Sequence, residues 1–319
     1  MSEFTGFAAN PIPAQPSPES EKLLRSAPRM RRGMQQSQPH GISLRINRAI
    51  FASAALTVAA PKGGSATRVR YADGVRGRFV KGPGADPANG ILLWIHGGAF
   101  ISGSPRLEQL LAAGYAAAAR IPALLPRYGR PPEHPFPAAA DDVLAAYRTL
   151  LDQGYPAEKI RIGGLSAGGA LTLGLLGDIG RAGLPMPAKV LLSSPVVQLS
   201  AELAHQRDAQ HPDPYCAPDY IERTSRCYAG QTPLTDPRLD HLAADMRGWP
   251  PVLIQVGGTE CLLAEARALA SEVWAAGGRC EVQVWPGQVH AFAMLGARKP
   301  LPEADAALGY GARFLLPEN

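Results

Sequence analysis

Residues 159–179 read KIRIGGLSAGGALTLGLLGDI, and this stretch decides the fold. Within it, residues 164–168 (Gly-Leu-Ser-Ala-Gly) match the pattern Gly-x-Ser-x-Gly. The residues before the motif are typical of a short strand, and the Ala- and Leu-rich residues after it are typical of a helix. This order is the setting of a nucleophile elbow, a turn so sharp that its serine takes strained backbone angles. The alternative is a glycine-rich turn in which Ser166 is incidental.

The residue types of this motif have physical reasons. A side chain at Gly164 or Gly168 would collide with the neighbouring strand or helix. The helix that follows directs its free N–H groups toward the turn, where they favour developing negative charge. Ser166 is therefore the candidate nucleophile.

Strand and helix patterns alternate along the chain on both sides of the motif. The predicted strands are 67–71, 75–80, 91–95, 160–162, 189–192, 252–256 and 280–285. The predicted helices are 107–120, 139–152, 167–179, 265–276 and 302–315. This alternation predicts an α/β protein with a mostly parallel central sheet and helices on both faces. Residues 196–230 break the rhythm and are predicted to be an insertion over the sheet.

Charge is distributed unevenly over the 319 residues, whose net charge is +5. Residues 1–60 carry seven Lys or Arg against three acidic residues, so the rest of the chain is nearly neutral at +1. Because residues 61–319 are nearly neutral, they are unlike a nucleic-acid-binding domain, and we expect no nucleic-acid partner. The length allows one large domain or two ordinary ones.

Targeting signals and cysteine patterns favour a cytoplasmic protein. Residues 49–60 form an uncharged run of 12, too short for a membrane helix of about 20 residues, so no membrane span is expected. The N-terminus is a poor signal peptide, because no basic region leads directly into an apolar stretch. The four cysteines show neither C-x-x-C nor metal-ligand spacing, and we expect reduced thiols and no metal site.

A second segment supplies backbone donors. Residues 96–100 (His-Gly-Gly-Ala-Phe) follow the apolar run 91–95, and two successive glycines let N–H groups approach a substrate oxygen without a side chain in the way. Such donors stabilise a tetrahedral oxyanion. The alternative is a tight turn between a strand and a helix, and His96 is expected to be a structural, hydrogen-bonded residue.

A nucleophilic serine also needs a histidine base and an acid that orients it, in the chain order serine, acid, histidine. His290 lies in a turn directly after the predicted strand 280–285. Glu260 follows the strand 252–256. We favour it over Glu265, which should lie one helical turn further on and face solvent.

Four stretches in this order resemble motifs of the hormone-sensitive-lipase-like family of α/β-hydrolases, in its bacterial carboxylesterase branch. The stretches are 96–100, 128–142, 164–169 and 286–292. The resemblance runs from about Arg68 to the C-terminus. It implies the α/β-hydrolase fold, with Ser166 as nucleophile, His290 as base and Glu260 as the orienting acid.

The resemblance also implies an oxyanion hole formed by the backbone N–H groups of Gly97, Gly98 and Ala167. Phe100 and Leu165, beside these motifs, are predicted to contact substrate. The N-terminal segment and part of the insertion are expected to form a helical cap. The predicted organisation is a flexible arm at 1–20, a cap segment at 21–60, and a catalytic domain at 61–319 with a cap insertion at about 196–230.

The function that this resemblance implies is a serine carboxylesterase that hydrolyses short- to medium-chain esters through an acyl-enzyme intermediate, without a cofactor. The expected partner is a small-molecule ester, and a homodimer is left open. Two alternatives remain: an amidase or deacetylase with the same triad, and a non-catalytic member of the fold that binds a small molecule. The presence of His290 weighs against the second alternative.

Overall fold

The computed structural model describes residues 12, 15–296 and 300–317. Its centre is an eight-stranded sheet. The strands are β1 Ser65–Arg70, β2 Arg76–Lys81, β3 Ile91–Ile95, β4 Ala123–Pro126, β5 Ile160–Leu165, β6 Lys189–Ser193, β7 Val252–Gly257 and β8 Cys280–Trp285. The spatial order is β1-β2-β4-β3-β5-β6-β7-β8. β2 is antiparallel to both of its neighbours, and the pairs from β4 to β8 are parallel, which confirms the predicted fold class.

Helices occupy the connections and both ends of the chain. They are α1 Pro18–Gln36, α2 Gly41–Leu56, α3 Gln109–Ala116, α4 Ala138–Asp152, α5 Ala167–Arg181, α6 Glu202–Gln210, α7 Pro218–Ala229, α8 Leu263–Ala275, α9 Phe292–Gly296 and α10 Pro302–Phe314. Within the described residues, none of them is long and apolar enough to cross a membrane.

Strand β3 shows why its sequence is a continuous apolar run. Ile91, Leu93 and Ile95 belong to a core that includes side chains of α4, α5 and α8. Leu92 and Trp94 belong to a second core with side chains of α3 and α10. Successive side chains of a strand point to opposite faces, so a strand covered on both sides must be apolar throughout.

The N-terminal helix is longer than the sequence patterns predict. It includes residues 18–20, which were predicted to belong to the flexible arm, and it runs unbroken from Pro18 to Gln36 through Pro28 and Gly33. Buried Ala27 and the many hydrogen bonds of Arg31 hold the helix on the domain, and this packing offsets the one helical hydrogen bond that a proline removes. The rest of the predicted arm, apart from residue 12 and residues 15–17, lies outside the described residues.

The sequence patterns did not predict strand β4. It has four residues, of which the last is Pro126, and so short an apolar run has no periodicity of its own. Its place between β2 and β3 comes from pairing with both strands. The predicted insertion at 196–230 contains two helices, α6 and α7.

Candidate active site

Ser166 lies alone between the last residue of β5 and the first residue of α5, with φ 55° and ψ −119°. This left-handed conformation is strained for a residue with a side chain, at a cost of about 1–3 kcal/mol. The two flanking glycines make the turn sterically feasible. A Cβ at Gly164 would collide with the carbonyl oxygen of Gly168, and one at Gly168 would collide with that of Ile95 in β3.

The three side chains predicted to act together do lie together. The Ser166 hydroxyl donates to His290 Nε2 at 2.9 Å. His290 Nδ1 lies 2.8 Å from Glu260 Oε2. The three residues follow β5, β8 and β7 respectively, so parallel strands bring their carboxyl ends to one edge of the sheet.

Burial and hydrogen bonding pull the pKa of His290 in opposite directions. Burial disfavours the imidazolium and lowers the pKa, whereas the hydrogen bond to Glu260 and nearby negative charge raise it. The net result is a pKa raised to about 9. His290 therefore binds a proton strongly, and it is mostly protonated, and unable to accept a further proton, below that pKa.

Glu260 is fixed by further contacts that the sequence did not reveal. Its Oε1 accepts from the backbone N–H of Gly257 at 2.6 Å and from the hydroxyl of Ser194 at 2.7 Å. The same hydroxyl accepts from the N–H of Ala291 at 3.2 Å. Ser194 follows β6, and it links Glu260 to Ala291, the residue after His290.

The predicted oxyanion donors need one correction. The N–H of Gly97 donates to Glu108 Oε1 at 2.7 Å, so it is already engaged and is not available to a substrate oxygen. In the described part of the chain, the N–H groups of Gly98, Ala99 and Ala167 have no acceptor. The available set of donors therefore includes Ala99 in place of Gly97.

Comparison with known proteins places this site in a family. A family model described as the alpha/beta hydrolase fold matches residues 92–294. The chain is an α/β-hydrolase. The acetyl-hydrolase of Streptomyces hygroscopicus is 35% identical to it over 224 residues, which cover 70% of this chain and 74% of that protein. Esterase LipU of Mycobacterium tuberculosis is 36% identical over 244 residues, covering 72% and 80% respectively.

Comparison with solved structures identifies the branch of the family. A crystal structure described as a hormone-sensitive lipase from a metagenome library aligns with this α/β-hydrolase at a TM-score of 0.84 and 30% identity, covering 94% of this chain and 98% of that one. An esterase from the bacterial hormone-sensitive lipase family aligns at 0.82, also at 30% identity. These similarities confirm the resemblance to the hormone-sensitive-lipase-like branch.

Two buried groups hold the backbone donors of the hydrolase in place. Glu108 accepts from Gly97 N–H and, through Oε2, from the Trp94 indole at 2.8 Å, and burial raises its pKa to about 8. His96 is stacked on Tyr128 with 4.2 Å between ring centroids, and its Nδ1 lies 2.7 Å from the Gly97 carbonyl oxygen. Burial lowers the pKa of His96 to about 4, so it is a neutral structural residue, as its position in the sequence indicated.

Three further predicted residues are buried. Phe100 is stacked on Tyr228 at 4.4 Å and Leu165 lies in the second core, and their contact with substrate stays a prediction. Glu265 was expected to face solvent. It is instead buried and accepts from the N–H of Val197 at 2.7 Å, because this part of α8 packs against the chain that leaves β6.

The N-terminal helices of the hydrolase contact two loops of the site and the insertion at 196–230. In α1, Ser20 accepts from the side chain of Gln288, two residues before the base, at 2.7 Å. Arg31, also in α1, forms a two-pronged ion pair with Asp208 at 2.7 and 2.6 Å. In α2, Arg48 donates to the carbonyl oxygen of Ile101, directly after the segment 96–100, at 2.8 Å.

A buried cluster joins the cap insertion to the loop of the acid. Asp213, Cys216 and Cys261 bring a carboxylate oxygen and two sulfur atoms within 4.8 Å of one another, and among the described residues this is the group that could hold a metal ion. The carboxylate of Asp213 already accepts from the N–H groups of Cys216 and Cys261, both at 2.9 Å. A hydrogen bond to Cys216 and burial raise the pKa of the Cys261 thiol, which favours a hydrogen-bonded link over a set of metal ligands.

Proposed function

We propose that this α/β-hydrolase is a serine carboxylesterase with Ser166 as nucleophile, His290 as base and Glu260 as the acid that orients the base. The observation that carries the proposal is the pair of contacts from Ser166 Oγ to His290 Nε2 and from His290 Nδ1 to Glu260 Oε2. The family and its esterase relatives support hydrolysis of carboxylic esters.

In the first half-reaction, Ser166 Oγ attacks the ester carbonyl carbon and His290 Nε2 takes the hydroxyl proton. The carbonyl oxygen becomes an oxyanion. When the tetrahedral intermediate collapses, the bond to the alkoxy group breaks, and His290 returns the proton to the leaving alcohol. The acyl group remains on Ser166. Glu260 accepts the hydrogen bond from Nδ1–H of His290 throughout.

In the second half-reaction, a water molecule attacks the acyl carbon and His290 takes a proton from it. When this intermediate collapses, the bond between the acyl carbon and Ser166 Oγ breaks, and His290 returns the proton to Oγ, which releases the carboxylic acid and restores the serine. In both halves the oxyanion is stabilised by the free N–H groups of Gly98, Ala99 and Ala167. Fixed donors of this kind typically contribute about 3–4 kcal/mol each to lowering the barrier.

We expect short acyl chains to be the better substrates. Tyr215 of the cap insertion lies near His290, with 6.4 Å between ring centroids, and the base itself is buried, so the cap closes directly over the site. In a series of p-nitrophenyl esters from acetate to decanoate, kcat/KM should be highest from acetate to hexanoate and should fall at least about tenfold by decanoate. Higher kcat/KM for decanoate than for butyrate would contradict this expectation.

Matched p-nitroanilides, measured beside this ester series, distinguish the esterase from the two alternatives. An amidase would cleave matched p-nitroanilides at rates comparable with the esters. A binding-only member would turn over neither substrate and would still bind the ester. The acetyl-hydrolase relative supports an acyl group as small as acetyl, in an ester or an amide.

The pKa of His290 determines the expected pH dependence. The base must be neutral to take the serine proton, and its pKa is about 9, so kcat/KM should rise from pH 6 to 9 and level off above that pKa. Initial rates with p-nitrophenyl acetate, corrected for spontaneous hydrolysis, measure this profile. A flat profile between pH 6 and 9 would show that the raised pKa does not control the reaction.

The location and partners that we propose follow from the charges and thiols. Arg31 and Arg48, two of the cations in the basic N-terminal segment, form ion pairs with Asp208 and Glu133, which supports a role in cap packing and not in binding nucleic acid. Free thiols at all four cysteines, three of them buried, support the cytoplasm as the location. The proposal also includes a homodimer. Light scattering measures the mass of the protein in solution and so distinguishes a dimer from a monomer.

A further inference from the structure

Helix α2 presents large apolar side chains to solvent. Ile42, Ile46, Ile50 and Leu56 are 71%, 55%, 62% and 70% exposed. Because the three isoleucines recur every four residues, they form one stripe along the helix. We call these four side chains the α2 outer face. The other residues on the exposed side of α2 include two alanines and a serine, so the face is apolar along most of its length.

The inner side of α2 combines apolar and polar side chains. Leu44 and Ala55 are buried there, and Phe51 packs against the cluster that Ala55 forms with Val58 and Leu107. Arg48 is turned inward, where it donates to the carbonyl oxygens of Ile101 and Pro131 and pairs with Glu133 at 2.7 Å. Asn47 is half-buried beside it. A surface helix that packs on a domain normally carries polar residues on its outer side, whereas the outer side of α2 is mainly apolar. An extended apolar patch on a protein surface marks a binding surface, and none of the described residues covers the α2 outer face.

The charge around this face identifies the partner. From Lys22 to Ala72 the sequence contains no Asp or Glu, while it contains ten Lys or Arg, of which Arg31 and Arg48 are paired with Asp208 and Glu133. Arg45 is exposed on α2 itself and lines a cleft of about 360 Å³ together with Ile42 and Glu133. A stripe of aliphatic side chains with an exposed arginine on the same helix, in a segment without acidic residues, complements an anionic lipid surface.

We propose that the α2 outer face docks on the surface of anionic lipid membranes. The isoleucines insert among the acyl chains at the headgroup boundary, and Arg45 lies against headgroup phosphates. A second copy of this chain is the competing occupant. It is disfavoured because a two-fold contact through this face would bring the cationic segments of both copies together.

Docking would also place the proposed active site next to the lipid phase, from which the substrate would come. Arg48 links α2 to the carbonyl oxygen of Ile101, next to the proposed oxyanion donors, so the helix that meets the lipid also contacts the catalytic centre. The substrate class is then acyl esters dissolved in the lipid phase. This second step rests on the proposed function, whereas docking itself does not.

Vesicle sedimentation with the full chain tests the proposal. We expect the protein to pellet with vesicles of phosphatidylglycerol and phosphatidylcholine, to bind pure phosphatidylcholine less, and to be released by 0.5 M salt to a large extent. The double variant Ile46→Ser/Ile50→Ser should bind at least about tenfold more weakly. The matched control is Trp274→Ser, which removes an exposed apolar side chain (44% exposed) from α8 and should leave binding unchanged.

Two readouts separate the outcomes. All variants should hydrolyse p-nitrophenyl acetate in solution like the original protein, so a loss of vesicle binding cannot be mistaken for unfolding or for failure of the proposed function. The proposal is overturned if the original protein does not bind anionic vesicles, or if the double variant binds them equally well. It is also overturned if the double variant only converts a dimer into a monomer in light scattering.

Discussion

Replacing Ser166 with alanine is expected to lower kcat/KM for p-nitrophenyl butyrate by about 10⁴-fold or more. The substitution removes the one atom that we propose to bond to the acyl carbon. The backbone strain at this position is equal for serine and alanine, because both carry a Cβ, and the neighbouring Gly164 and Gly168 are untouched. Circular dichroism and the melting temperature should therefore match those of the original protein.

The matched control for this prediction is Ser271→Ala. Ser271 lies exposed on α8 and its hydroxyl donates only to a carbonyl oxygen one helical turn earlier. This variant should keep full activity. If Ser166→Ala retained activity within tenfold of the original, the proposed nucleophile would be wrong, and a folded, inactive variant that still binds ester would separate catalysis from binding.

Replacing Glu260 with glutamine should lower kcat by about 10⁴-fold through the tautomer of His290. Oε1 of Glu260 accepts from Gly257 N–H and from the Ser194 hydroxyl, so in the variant the amide oxygen must occupy that position. The amide NH₂ group then faces His290 Nδ1. It forces Nδ1 to accept a hydrogen bond and places the ring proton on Nε2, which can no longer take a proton from Ser166.

Three measurements make this prediction specific. Glu272→Gln makes the same chemical change on the exposed side of α8 and should leave kcat unchanged. The loss at Glu260 should appear in kcat more than in KM, because substrate binding does not use the carboxylate. The rise of activity with pH should also move to lower pH, because the contact that raises the pKa of His290 is gone. Retention of more than about a tenth of kcat would exclude the proposed role.

The sequence predicted those parts of the site that depend on local position. Ser166, Glu260 and His290 each follow a recognisable strand directly, and parallel strands bring such positions to one edge of the sheet. Each could therefore be located from strand ends and chain order alone. The glycines of the elbow could be predicted for the same reason, since the steric demand comes from within the turn.

Contacts across long stretches of chain could not be predicted. Glu108 binds Gly97 N–H from 11 residues away, and the engaged donor could be recognised only once α3 was packed against β3. Ser194 lies 66 residues before Glu260, in a segment with no motif of its own. Whether Glu265 points inward depends on how α8 packs, because helical periodicity fixes the spacing of side chains and not the direction of a particular face.

The contacts of α1 and α2 with the catalytic loops determine how this hydrolase can be divided. Ser20 contacts the loop of the base, Arg31 joins the insertion that is linked to the loop of the acid, and Arg48 contacts the segment of the oxyanion donors. These hydrogen bonds cross the predicted boundary at residue 60. We therefore expect that a graft of residues 1–60 from a relative would change substrate access and the alignment of the proposed catalytic groups together.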